Sequence, residues 1–143
     1  MEIPEDLKSK LLSELDFVIR KVNEEPEPRN KLFFLSAAHG AVERTMRFCM
    51  ENELMIAHAI LNVCYGMLMD RFNRLTAGDT AIPLPEDWLK QIAEYLSELR
   101  KAIEENQPIY PALEKMIRLA YPTTGPWYYT KNYLKSLTAT SET

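Results

Sequence analysis

The stretch 54-LMIAHAILNVCYGMLM-69 decides how this chain is read. At 3.6 residues per turn its apolar side chains cover the whole circumference of a helix, the pattern of a helix enclosed on all sides by protein or lipid. It falls short of the ~20 residues a bilayer span needs, so it reads as a central core helix. Only His58 and Asn62 interrupt it with strongly hydrogen-bonding side chains, one turn apart on the same side.

Upstream of it, the segment from Lys31 to about Glu51 reads as a second helix, with Asn30 as its N-cap. Phe34, Ala37, Ala38, Ala41, Val42, Phe48 and Cys49 make its apolar side. Ser36, Glu43, Arg44, Arg47 and Glu51 make its polar side, with His39 at the boundary. No proline or glycine separates this helix from the central one. An unbroken helix would far exceed the usual 10–14 residues, so the spacing predicts a tight antiparallel hairpin centred on Asn52. Asparagine suits that position because it tolerates the left-handed geometry that closes a helix.

A first helix begins at Pro4-Glu5-Asp6, where proline fits the first turn and acids suit the dipole. Leu7, Leu11, Leu15, Val18 and Val22 form its single apolar stripe, and it ends near Glu25, before Pro26 and Pro28. Gly78 caps the central helix, and Ile82 and Leu84 in the following loop are expected to cover the end of the core. Pro85-Glu86-Asp87 opens a fourth helix with Trp88, Ile92, Tyr95, Leu96, Leu99 and Ile103 on one face. Pro108 ends it, and a shorter helix follows from Pro111 with Leu113, Met116, Ile117 and Ala120 inward. Trp127 to Leu137 reads as one more short helix, before a polar tail from Thr138 that is expected to be disordered.

The pattern predicts an all-α fold: an antiparallel up-down four-helix bundle with two shorter C-terminal helices, one domain over residues 1–137 and a tail over 138–143. At 143 residues the chain can bury a real core without staples. A formal charge of −4 argues against nucleic acid as partner, because such binding needs a basic surface. Arg44, Arg47, Arg71 and Arg74 alternate with acids and read as solvated or ion-paired. Cys49 and Cys64 stand in apolar runs and read as core thiols. The acidic start MEIPEDLK carries no apolar leader, so a cytoplasmic, non-membrane protein is expected.

The layout resembles that of a small archaeal family of uncharacterised six-helix proteins. The segments LSAAHGAVERTMRF (residues 35–48) and AHAILNVCYGML (residues 57–68) carry the resemblance. It implies a four-helix antiparallel core with two added helices, and it brings no catalytic residue with it.

No motif names an activity. Neither histidine has a glutamate three residues before it, since those positions hold Ser36 and Met55, so the di-metal bundle pattern is missing. HExxH, phosphate-cradling glycine loops and GxSxG are missing too. A hairpin turning at Asn52 sets Arg47 level with His58 and Glu43 level with Asn62, with His39 a turn away near Gly66. The first reading of Glu43, Arg47, His58, Asn62 and His39 is a buried hydrogen-bonded network that fixes helix register. The second is a pocket in which Arg47 binds an anion and His58 exchanges a proton. A metal on His39, Glu43 and His58 lacks a recognised ligand spacing, so no metal and no cofactor are expected. The aromatic cluster Tyr121, Trp127, Tyr128, Tyr129 and Tyr133 reads as a clamp onto the chain's own bundle, or else as a subunit interface. The function expected is that of a non-enzymatic interaction or structural protein, homo-oligomeric through possible self-association. The alternative is a small-molecule binding protein or enzyme, its ligand unknown, with a pocket between helices two and three.

Overall fold

A computed structural model describes residues 1–79 and 83–121. Five α-helices make up its regular structure: α1 (Glu5–Glu24), α2 (Pro28–Phe48), α3 (Asn52–Thr76), α4 (Trp88–Glu104) and α5 (Tyr110–Ala120). The all-α expectation is met, with no strand among the described residues. The expected last helix, Trp127 to Leu137, and the tail lie outside them.

The helices neighbour one another in a ring, α1–α2–α3–α5–α4 and back to α1, with α2 also touching α4. A four-helix core with two shorter added helices would leave α5 outside that core. Instead α5 packs against both α3 and α4, whose own meeting point is the Phe72 and Trp88 rings, 6.1 Å apart between centroids. Ion pairs follow the same order: Arg44 with Glu14 joins α2 to α1, Arg100 with Asp16 joins α4 to α1, and Lys115 with Glu98 joins α5 to α4. Inside the ring the core is aliphatic, with Leu11, Leu15, Leu35, Leu54, Leu61, Leu68, Leu96, Leu99 and Leu113 all fully buried.

Helix boundaries follow backbone chemistry. Pro28, not Lys31, begins α2, because a proline at the first helical position needs no donor and already has helical φ. Asn30 is therefore inside the helix rather than its cap. Pro85-Glu86-Asp87 forms a turn leading into α4, with Asp87 as the N-cap residue. Gly78 caps α3 as expected, with φ 93°; its own N–H reaches the Leu75 carbonyl and the Asp79 N–H reaches that of Arg74. The same arrangement closes α4 at Asn106, φ 55°, the one non-glycine residue with positive φ among those described.

The corner between α2 and α3 departs from expectation. α2 ends at Phe48, the chain turns about Met50 with the Glu51 N–H on the Cys49 carbonyl at 2.7 Å, and Asn52 is the first residue of α3. The left-handed asparagine is thus Asn106, not Asn52. Phe48, expected inward, is 77% exposed at this corner, and Cys49 is only half-buried, its thiol donating to the Glu2 carbonyl at 3.1 Å. Cys64 is buried as expected.

The largest correction concerns the central helix. α3 buries Leu54, Ala57, Leu61, Cys64, Leu68 and Arg71, but turns Met55, Ile56, Ala59, Asn62, Val63 and Gly66 outward. It is a wall of the ring, not its axis. Arg71, read as solvated, is buried as well. Its Nη1 donates to the Leu119 carbonyl at 3.0 Å and its Nη2 to the Pro83 carbonyl at 2.7 Å. A helix ends with carbonyls that have no partner in the helix, and here a guanidinium from α3 serves the last turn of α5. Arg44, Arg47 and Arg74 do sit beside carboxylates, those of Glu14, Glu43 and Asp70.

Candidate functional site at the seam of α2 and α3

Centring the corner on Met50 instead of Asn52 changes which residues meet across the seam. His58 then stands opposite position 42, and the seam residues flanking that position are His39 and Glu43. The His39 and His58 rings lie 4.2 Å apart between centroids, tilted by 32°. A nitrogen from each ring and a carboxylate oxygen of Glu43 all lie within 4.8 Å of one another. All three residues are half-buried.

Of the five residues singled out in the sequence, the structure gathers four and releases one. Arg47 does not reach across to His58. It turns back one turn along α2, and its Nη2 donates to Glu43 Oε1 at 3.0 Å. Asn62 is exposed on the outer face of α3, so it belongs to no buried network. The expected hydrogen-bonded network is therefore not what holds this seam: the two imidazoles touch, yet the Nε2 atoms of both are buried without a hydrogen-bond partner.

The electrostatics of the group are those of one anion facing two imidazoles. Glu43 is held below the ordinary carboxylate range, first by the hydrogen bond from Arg47, then by that guanidinium's charge and more weakly by the histidines. His39 is pushed below the usual histidine range, chiefly by burial and next by the neighbouring His58, with Glu43 pulling the other way. A carboxylate that stays ionised beside a histidine that resists protonation offers lone pairs rather than protons.

The signal for this trio was present in the sequence. Glu43 follows His39 by four residues, one helical turn, which sets both on the same face of α2. The spacing is not that of the Glu-x-x-His di-metal pattern, in which the glutamate precedes the histidine by three residues.

Of the aromatic cluster, Tyr121 is exposed and Trp127, Tyr128, Tyr129 and Tyr133 lie outside the described residues. Among the described residues, no helix is long and apolar enough to cross a membrane. No protein-family model matches the chain, and neither the curated proteins nor the solved structures provide a match.

Proposed function

We propose that this chain is a helical interaction protein, without enzymatic activity, that self-associates through the outward face of α3. The observation that carries this reading is the composition of that face. Met55, Ile56 and Val63 are each about two-fifths exposed (37%, 41% and 40%), with Ala59 between them and no charge until Asp70. At 1.5 Å per residue, Met55 to Gly66 spans ~16 Å of helix. Phe48 and Met50, exposed at the adjoining corner, lie at the same end. Contiguous apolar surface of this kind marks contact with another macromolecule more often than scattered single residues do. A two-fold dimer is the simplest arrangement that covers it, because one face then meets its own copy.

In this reading α1 to α4 are an antiparallel up-down bundle whose open seam α5 fills. The setting is the cytoplasm, with neither nucleic acid nor membrane as partner. The acidic net charge and the pairing of Arg44, Arg47 and Arg74 with carboxylates support that. Light scattering on the eluting protein across a range of concentrations is the test. The wild type should run as a dimer or larger, and Ile56→Glu with Val63→Glu should run as a folded monomer. A wild type that is monomeric at every concentration would overturn the reading.

A second reading, a ligand pocket at the α2–α3 seam, is favoured by the convergence of His39, Glu43 and His58. It loses Asn62 from its lining and finds Arg47 already engaged with Glu43.

A further inference from the structure

From the seam geometry we infer that His39, Glu43 and His58 form a binding site for a divalent transition-metal ion, zinc foremost. Three observations support it independently. The first is proximity: two imidazoles and a carboxylate, from two different helices, place one ligand atom each within 4.8 Å of one another. Zinc takes such ligands at about 2.0–2.2 Å, which puts them roughly 3.3 Å apart in a tetrahedron. Closing the group by up to about 1.5 Å is within reach of side-chain torsions at half-buried positions, without moving either helix.

The second is the unmet bonding of the histidines. Both Nε2 atoms are buried, and neither has a hydrogen-bond partner among the described residues. Buried polar atoms nearly always have one, and an exception calls for a missing water or ion. Two such exceptions on touching rings, beside a carboxylate, point to one shared guest.

The third is the support behind the carboxylate. Arg47 donates to Glu43 Oε1, and the carboxylate keeps further lone pairs for a metal. Ligating carboxylates are themselves hydrogen-bonded from behind, which fixes their orientation. Two imidazoles with a carboxylate suit borderline ions such as zinc, and the group contains no thiolate to favour softer ones. Two histidines and one glutamate leave a fourth position for water or a ligand, the open form of zinc site.

The inference is independent of self-association and is tested apart from it. Chain stripped of metal with a chelator is titrated with cobalt(II), whose d–d absorption reports the ligand field, and then with zinc against a chromophoric competitor. Binding should saturate at about one ion per chain and raise the melting temperature, because an ion held by the folded state alone stabilises it. Glu43→Gln keeps the volume and an oxygen for Arg47, so it should fold normally yet bind at least tenfold more weakly; His58→Ala should lose the cobalt spectrum. Arg47→Ala should weaken binding by about tenfold through the carboxylate it orients. Asn62→Ala and Cys49→Ser should change nothing. Non-saturating binding, or a folded Glu43→Gln that binds like wild type, would overturn the site and leave an ordered water as the guest of the two Nε2 atoms.

Discussion

The two faces of α3 are made of the same kinds of residue and meet opposite surroundings. Leu54, Ala57, Leu61, Cys64 and Leu68 are fully buried or nearly so, while Met55, Ile56, Ala59 and Val63 look outward from the same helix. Apolar character all round is usually a sign of burial all round. Here it separates into one face that holds the fold together and one that the described residues leave open. Hydrophobicity alone does not distinguish a core from an interface, because both exclude water by the same physics.

Truncation is the most direct way to break that contrast. Leu61→Ala removes a fully buried side chain from the centre of the ring and should cost about 2–5 kcal/mol of unfolding free energy. Val63→Ala, two residues on and facing out, should cost no more than ~0.5 kcal/mol in the monomer. Chemical denaturation of both variants measures the difference. Similar losses at the two sites would mean that both faces are enclosed within one chain.

Arg71 tests whether the inward face depends on anything besides apolar packing. Its guanidinium serves carbonyls from α5 and from the segment before α4, and burial lowers its pKa without a carboxylate to offset that. Arg71→Met keeps much of the apolar stem but strands those carbonyls, and charge-assisted bonds of this kind are each worth about 1.5–3 kcal/mol. A loss of roughly 3 kcal/mol is expected on denaturation. Arg71→Lys should recover little of it, because a compact ammonium cannot span two acceptors as a planar fork does.

Much of this fold was legible in the sequence. The stripes of α1 and α4 were read almost residue for residue, since strong 3.6-residue periodicity with one polar face leaves a single way to bury the helix. The Gly78 cap was legible because glycine alone adopts its φ at no cost. What was not legible depended on neighbours. Nothing local says that α5 packs along both α3 and α4, or that Arg71 finds α5 carbonyls across the ring. At the candidate site all three converging residues were named. Their register was missed because the chain leaves the helix at Cys49 and turns tightly about Met50, where the Glu51 N–H reaches the Cys49 carbonyl, which moves the pairing along α2.

Cys64 offers a finer probe of the inward face, through pH. Burial pushes its thiol up to about 12, against 9.0 for the ordinary group. A pKa raised in the folded state means stability that is fully present below the unfolded value and fades as pH climbs toward the folded one. Above about pH 9 the unfolded chain ionises this thiol while the folded chain does not. The wild type should therefore lose roughly 1 kcal/mol by pH 10 relative to Cys64→Ala, whose other titrating groups are the same. The measurement is the stability gap between the two proteins at pH 8 and at pH 10. A constant gap would show a thiol that water reaches.

The smallest expected effect falls on the outer face, at Asn62. The sequence alone argued for a buried asparagine in a network with His58, whose replacement by leucine would cost roughly 1–3 kcal/mol. The side chain is instead exposed, and His58 meets His39 and Glu43. Asn62→Leu should therefore change the unfolding free energy of the monomer by no more than ~0.5 kcal/mol. Its effects with His58→Ala should add, since the two side chains share no partner. The substitution does alter the surface, completing an apolar strip from Met55 through Ala59 and Val63. If that strip is where two copies meet, the same variant that leaves unfolding unchanged should shift association toward the dimer. Light scattering at the lowest usable concentration would detect it. A monomer destabilised by a kilocalorie or more would place Asn62 back inside the protein and undo the distinction between the two faces of α3.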